Sequence, residues 1–112
     1  MAKKAVAIGA GIGGIAAALR LRKKGYEVTI VEASGKPGGK LDEITLGDFR
    51  FDKGPSLFTL PHLVTELFEL FDKEPSTYFT YHQLPDAGRY FWEDGTKFIA
   101  HSNQTRAILS IS

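Results

Sequence analysis

The chain has 112 residues, of which 43% are hydrophobic and 24% charged, so its composition excludes disordered and fibrous classes. Fourteen Lys and Arg against thirteen Asp and Glu leave a formal charge of +1, which argues against a nucleic-acid partner. The absence of cysteine excludes disulfides and thiolate metal sites, and the three histidines lack metal-ligand spacing, so no metal site is expected.

The first 31 residues are predicted to form a strand, a helix and a second strand. Residues 5–8 are a short apolar run stopped by Gly9, which is typical of a strand buried on both faces of a parallel sheet. Residues 13–24 carry apolar side chains at helical spacing with Gly25 as the stop, and residues 26–31 are rich in β-branched side chains. The apolar stretch 5–19 resembles a secretory signal, but its glycines and the strand that follows favour the βαβ unit, and it is too short to span a bilayer.

The rest of the chain adds one helix and several short strands. Residues 41–46 and 49–51 are predicted strands around a turn, and residues 61–73 form an amphipathic helix between two prolines. Residues 78–84 are a predicted strand, and residues 89–93 and 96–100 a hairpin with a type I′ turn at Asp94-Gly95. The predicted fold class is therefore α/β, a Rossmann-like βαβ unit with an added amphipathic helix and β-hairpin.

A glycine-rich loop, G-A-G-I-G-G over residues 9–14, follows the first strand and contains the spacing G-x-G-x-x-G. Alone the spacing is a weak signal, but here a strand precedes it, a helix and a second strand follow, and Glu32 ends that strand eighteen positions after Gly14. Gly9 allows the sharp turn, Gly11 lets a pyrophosphate approach the backbone, and Gly14 allows close packing of helix and strand. These features predict a dinucleotide site.

The phosphates are expected at the N-terminus of the helix, where the N–H groups of Ile12, Gly13 and Gly14 are free to bind an anion. Glu32 is expected to accept hydrogen bonds from the ribose hydroxyls of the adenosine. Its charge repels a 2′-phosphate, so NADP is disfavoured.

The segment E-A-S-G-K-P-G-G-K, residues 32–40, distinguishes between the remaining cofactors. It resembles the R-x-G-G-R pattern of the flavoprotein group that contains amine oxidases, protoporphyrinogen oxidases and carotenoid desaturases, and NAD enzymes do not usually carry it. The resemblance implies FAD, with the pair Gly38-Gly39 against the cofactor and a flanking cation at the phosphates. This chain has Lys36 and Lys40 where arginine is usual, which keeps the charge but loses the bidentate fork.

Residues 49–56, F-R-F-D-K-G-P-S, are similar to the F-x-x-D-x-G-P-[ST] stretch of carotenoid desaturases of the phytoene dehydrogenase type. This resemblance implies desaturation of a lipophilic polyene by hydride transfer to the flavin, with residues 54–56 beside the flavin. Catalytic residues are not identified. The candidate cofactor-binding residues are Gly9, Gly11, Ile12, Gly13, Gly14, Glu32, Ala33, Lys36, Gly38, Gly39, Lys40, Gly54, Pro55 and Ser56.

In that group the FAD domain is discontinuous, so residues 1–112 are expected to be a single N-terminal FAD-binding portion of a longer enzyme, inactive alone. Residues 76–100 are expected to begin a substrate-side sheet. Two alternatives stay open: a free-standing or remnant dinucleotide-binding module without catalysis, and part of an amine-oxidase-like flavoenzyme. A cytoplasmic location is expected, with peripheral contact at the inner face of the membrane left open, and uncovered sheet edges favour a homo-oligomer.

Overall fold

A computed structural model describes residues 1 and 3–111, which divide into two compact units, the first ending at residue 79 and the second beginning at residue 80. The first unit contains, in chain order, β1 (Lys4–Ile8), α1 (Ile12–Lys23), β2 (Glu27–Val31), β3 (Glu43–Leu46), β4 (Phe49–Asp52) and α2 (Pro61–Glu69). It ends with a 3₁₀ turn, Pro75–Thr77. The second unit contains β5 (Asp86–Phe91), β6 (Lys97–His101) and α3 (Gln104–Ile111).

The predicted βαβ unit is confirmed. β1 and β2 pair in parallel, with Ala5 opposite Val28 and Ile8 opposite Val31, and α1 packs against both strands. The expected burial of β1 on both faces is wrong, because Val6 is 65% and Ile8 89% exposed. Ala5 and Ala7 of β1 and Val28 of β2 are half-buried and the other strand residues are exposed, so one face of this two-stranded sheet is partly covered and the other is open to solvent.

The second helix is confirmed and packs against α1, but it ends at Glu69 and not at residue 73 as predicted, with Asp72 beyond it at a φ of +55°. Pro61 is its first residue and Leu60, before it, has a φ of +50°, which is unusual for a side chain of this size. Leu67 of the predicted apolar stripe is buried, as is Ala18 of α1. Ala10, in the loop between β1 and α1, is also buried, so the core of the first unit is small and takes residues from this loop and from both helices.

β3 and β4 form the predicted hairpin, with Ile44 opposite Phe51 and Gly47 at a φ of +60° in the turn. The strand predicted for residues 78–84 is wrong, since the 3₁₀ turn at 75–77 is followed by Tyr78 in a helical backbone conformation, and residues 79–84 form no strand. The physical reason lies in the aromatic side chains. The Phe68 ring packs 5.0 Å from the ring of Tyr78 and 5.5 Å from that of Phe79, so these two residues are held on α2.

The second unit is a hairpin followed by a helix. Strands β5 and β6 pair as predicted, but the turn is not type I′, which needs a positive φ at both central residues. In this hairpin, which the structure describes throughout, positive φ occurs at Gly95 alone, and its N–H donates to the Trp92 carbonyl at 3.0 Å. The loop is thus a three-residue turn whose last residue is left-handed, and the Asp94 carboxylate accepts from the Thr96 N–H at 2.8 Å.

Helix α3 was not predicted, although Asn103 is a cap signal: its side chain accepts from the Arg106 N–H at 3.1 Å. The Nδ1 atom of His101 lies 3.1 Å from the Asp86 carboxylate, so this histidine has a partner within the hairpin. Within residues 1 and 3–111, no helix is long and apolar enough to cross a bilayer. The same residues contain no group of three His, Cys, Asp or Glu that could hold a metal ion.

Candidate dinucleotide site

The glycine-rich loop between β1 and α1 is held tightly by the backbone. Gly9 has a φ of +96°, which side chains rarely adopt, and its N–H donates to the Val31 carbonyl at 2.7 Å. A Cβ atom on Gly14 would lie 2.0 Å from the Gly9 carbonyl oxygen, so α1 approaches the loop more closely than any side chain permits. Gly9 and Gly14 therefore fix where the helix begins.

The N-terminus of α1 is free of capping side chains. Gly11 is the cap residue, with an extended backbone and no side-chain hydrogen bond, and the Ile15 N–H is bonded to its carbonyl at 3.0 Å. The N–H groups of Ile12, Gly13 and Gly14 have no intrahelical partner in this geometry, and the first turn of α1 contains no acidic residue. This end of the helix can accept an anion.

The glycine pair that follows β2 packs directly on this loop. The Gly38 N–H donates to the Ala10 carbonyl at 2.8 Å, and a Cβ on Gly39 would lie 3.1 Å from the Gly11 Cα. In contrast, a Cβ on Gly11 would have as its nearest neighbour the Gly39 Cα, at 3.9 Å. The missing side chain of Gly11 therefore leaves a cradle of open backbone, and the residues present fit a pyrophosphate lying there.

The Glu32 carboxylate, predicted to bind the ribose, contacts the loop itself. Its Oε2 accepts from the Ala10 N–H at 2.6 Å and its Oε1 from the Ser34 N–H at 2.9 Å. Hydrogen bonding lowers the pKa of Glu32 below its usual 4.5. The Ser34 N–H has the largest effect, the Ala10 N–H the next, and the Ala33 backbone a smaller one. An ionised carboxylate has about four acceptor directions, so two bonds leave about two for ribose hydroxyls.

The two lysines of this segment differ in their surroundings. Lys36 forms an ion pair with Asp42, and Lys53 reaches the other oxygen of the same carboxylate at 3.5 Å. The hydrogen bond from Lys36 is the main cause that lowers the pKa of Asp42 to about 2, and in return Asp42 raises the pKa of Lys36. Lys40 is exposed. Sequence reasoning missed Asp42, whose only signal in the sequence is that it lies between its two partners, Lys36 and Lys53.

The segment predicted to lie beside the flavin packs against the lysine and glycine segment. A Cβ on Gly54 would lie 1.8 Å from the Lys40 carbonyl oxygen, and the Lys53 N–H donates to the Asp42 carbonyl at 2.8 Å. Pro55 lines a cleft of about 340 Å³ together with Lys36. Ser56 follows it and is exposed. The structure thus brings together three separate stretches of sequence, residues 9–14, 32–40 and 54–55.

Comparisons with known proteins agree with this arrangement. Residues 8–74 match the family described as NAD(P)-binding Rossmann-like domain. The 1-hydroxycarotenoid 3,4-desaturase of Flavobacterium sp. is 57% identical over 98 residues, which is 88% of this chain and 20% of that protein. The 4,4'-diaponeurosporene oxygenase of Staphylococcus aureus is 41% identical over 98% of this chain and 23% of its own length.

Among solved structures, a protein from Pyrococcus furiosus has a TM-score of 0.55 and 25% identity, with 85% of this chain and 24% of that one covered. The chain spans between 20% and 23% of the length of the two relatives named above. The predicted resemblance to carotenoid desaturases is confirmed by the desaturase relative, and the predicted Rossmann-like α/β fold by the family match. A βαβ unit with an open helix N-terminus, a glycine pair against it and an acidic residue after the second strand provides a dinucleotide site, and the chain belongs to the NAD(P)-binding Rossmann-like domain family.

Proposed function

We propose that this chain is the FAD-binding portion of an oxidoreductase that dehydrogenates a carotenoid-like polyene. Among the relatives named above, the desaturase supports this proposal most directly, because it is 57% identical over 88% of the chain. The chain corresponds to only 20% of that protein, so the substrate and the reaction are carried over from the relative as parts of the proposal.

The observation that carries the choice of FAD is the contact between the glycine pair and the glycine-rich loop. The Gly38 N–H to Ala10 carbonyl bond and the close approach of Gly39 to Gly11 fix the R-x-G-G-R-like segment against the proposed phosphate cradle. That segment is typical of the flavoprotein group and is not usual in NAD enzymes, so its placement favours FAD.

The backbone and side-chain groups at the site have distinct proposed roles. Ile12, Gly13 and Gly14 donate their backbone N–H groups to the pyrophosphate, and Lys36 and Lys40 add positive charge. Glu32 and the adjoining Ala33 lie at the ribose of the adenosine, and the negative charge of Glu32 disfavours a 2′-phosphate.

The residues 54–56 are proposed to border the flavin ring, where their lack of charge suits an apolar substrate. Bound flavin would supply a hydride acceptor for dehydrogenation of the substrate. The protein's part is then to orient the cofactor and the substrate and to exclude water. β5 and most of β6 lie within residues 76–100, which we propose to be the beginning of the sheet on the substrate side.

The first test is a visible spectrum of the purified chain followed by calorimetric titrations with FAD, NAD and ADP. Flavin absorbance, or FAD binding at least about tenfold tighter than ADP, a difference of about 1.4 kcal/mol, supports a flavin site. Equal and weak binding of all three would instead favour the alternative of a dinucleotide-binding module without catalysis. An amine-oxidase-like parent would be favoured if the longer reading frame encoded an amine-binding rather than an apolar substrate domain.

Two further parts of the proposal concern the surface. Exposed apolar side chains on the strands, among them Ile8 and Phe91, favour self-association of the chain or peripheral contact with a membrane. Sedimentation velocity of the chain tests the first, with a concentration-dependent dimer expected. Co-sedimentation with anionic and with neutral lipid vesicles tests the second, and a monomer that stays in the supernatant would contradict both.

A further inference from the structure

Asp42 stands in an unexpected place for an acidic residue next to a proposed phosphate site. Its carboxylate is ion-paired with Lys36, the cation assigned to the phosphates, and lies 3.5 Å from the Lys53 ammonium group. The Asp42 side chain is 22% exposed, while that of Lys36 is 61% exposed. The Asp42 carboxylate is therefore more restricted by its surroundings, and the exposed Lys36 side chain is the one that can change its conformation.

The same two residues line a cleft that includes Gly39, a residue that packs on the glycine-rich loop. A cleft of about 460 Å³ is bordered by Lys36 and Asp42 together with Gly39, whose Cα region lies against Gly11. An anion that reaches the Lys36 ammonium group in this cleft would find Asp42 already paired with it. The Lys36 ammonium group can form a short-range ion pair with the carboxylate or with a phosphate, and each pair weakens the other.

We propose that Asp42 is a built-in competitor of the dinucleotide phosphates, pairing with Lys36 when no anion is bound and setting how tightly the site binds the anion. This inference rests on the proposed function, because it takes Lys36 as a phosphate ligand. It adds a residue that tunes affinity and that the glycine motifs do not include.

The backbone hydrogen bonds around Asp42 allow its charge to be removed with some loss of stability but without loss of the fold. The Asp42 carbonyl accepts from the Lys53 N–H at 2.8 Å, and the Leu41 N–H donates to the Gly38 carbonyl at 3.1 Å, so neither bond involves the carboxylate. The one backbone bond that the side chain does accept comes from the Glu43 N–H at 2.8 Å. An asparagine keeps this acceptor and the shape of the side chain, and removes only the charge.

The experiment measures the dissociation constants of FAD and ADP for the full chain and for Asp42→Asn at two salt concentrations. Exposed ion pairs are weak, so we expect Asp42→Asn to bind about two- to fivefold more tightly at low salt, with a smaller gain at high salt. The gain should be absent when Lys36 is already replaced, so Lys36→Met and Lys36→Met with Asp42→Asn should bind alike.

Glu43→Gln is the matched control, because it removes one negative charge from the adjoining residue, whose partner is Arg50. It should change affinity by less than Asp42→Asn does. Weaker binding by Asp42→Asn, an unchanged affinity, or a gain that persists without Lys36 would each overturn the inference while leaving the dinucleotide site intact. Failure of the unaltered chain to bind FAD or ADP would instead overturn the proposed function, and circular dichroism of each variant separates these outcomes from loss of fold.

Discussion

The Oε2 atom of Glu32 lies 2.6 Å from the backbone nitrogen of Ala10, a residue 22 positions earlier in the chain. The carboxylate at the end of β2 thus holds the glycine-rich loop in place through a bond within the protein. A buried or partly buried N–H without an acceptor costs free energy. The bond to Glu32 therefore gives the Ala10 N–H its acceptor and also favours this conformation of the loop. The same side chain is therefore expected to contribute to folding and to ligand binding.

Glu32→Gln is expected to lower the free energy of unfolding at pH 7 and to flatten its dependence on acid pH. The folded-state pKa of Glu32 is lowered from 4.5 by the bonds from Ser34 and Ala10, so the carboxylate stabilises the fold above about pH 4.5. This contribution disappears as the pH falls through the lowered value. Urea unfolding of both proteins between pH 7 and 3 should show curves that converge below about pH 4.5. Glu69→Gln, on the exposed face of α2, is the control, and parallel curves for Glu32→Gln would contradict the prediction.

Gly14→Ala is expected to destabilise the first unit by about 1–3 kcal/mol, the usual range for an added methyl group in a tight contact. The new Cβ would lie 2.0 Å from the Gly9 carbonyl oxygen, so helix and loop would have to separate. Gly13→Ala is the matched control, because a Cβ there meets nothing within 4 Å and alanine favours the helix by about 1 kcal/mol. Equal urea midpoints for the two variants would show that the close packing is not important.

Gly11→Ala is expected to leave the fold nearly unchanged and to weaken FAD and ADP binding at least about tenfold, which corresponds to about 1.4 kcal/mol. The backbone of Gly11 is extended, and a Cβ there would be 3.9 Å from its nearest neighbour, the Gly39 Cα. The added methyl group would therefore occupy the space proposed for the pyrophosphate. Calorimetric titration and a thermal melt measure the two effects, and unchanged affinity would place the phosphates elsewhere.

Gly54→Ala is expected to open the contact between the segment after β4 and the lysine and glycine segment. Its Cβ would lie 1.8 Å from the Lys40 carbonyl oxygen, and backbone at both sides leaves no flexible group to move. Hydrogen exchange of the Lys53 N–H, which is bonded to the Asp42 carbonyl, should accelerate. Gly35→Ala, with nothing within 4 Å of its Cβ, should exchange like the unaltered chain. Equal exchange in both variants would contradict the packing described here.

Asp42 offers a separate test of the electrostatics around Lys36. Its folded-state pKa of about 2 lies below the usual 3.8, so its charge stabilises the fold above about pH 3.8, and this contribution is lost as the pH falls towards about 2. Asp42→Asn should therefore lose stability relative to the unaltered chain at pH 5 and show little difference at pH 2. Thermal melts at the two pH values measure this, and a constant difference would mean that the ion pair with Lys36 does not form in solution.

Much of the first unit could be predicted from the sequence. The order strand, helix, strand follows from apolar periodicity and from glycine at turns, and the positions of β1, α1 and β2 differ from the prediction by one residue. The errors arose where local pattern and tertiary contact disagree. Residues 78–84 have the composition of a strand, but Tyr78 and Phe79 pack on the Phe68 ring. In the second hairpin Asp94 does not have the positive φ that a type I′ turn requires, and its side chain accepts the Thr96 N–H.

The sequence by itself determined the dinucleotide-binding character of the chain, because the glycine spacing and the acidic residue act through short-range backbone geometry. Only the tertiary structure decided that Gly39 faces Gly11, that Glu32 holds the Ala10 N–H, and that Lys36 is paired with Asp42. These contacts join residues from separate segments. Their formation depends on how the segments pack, and residue order does not specify the distances between the atoms concerned.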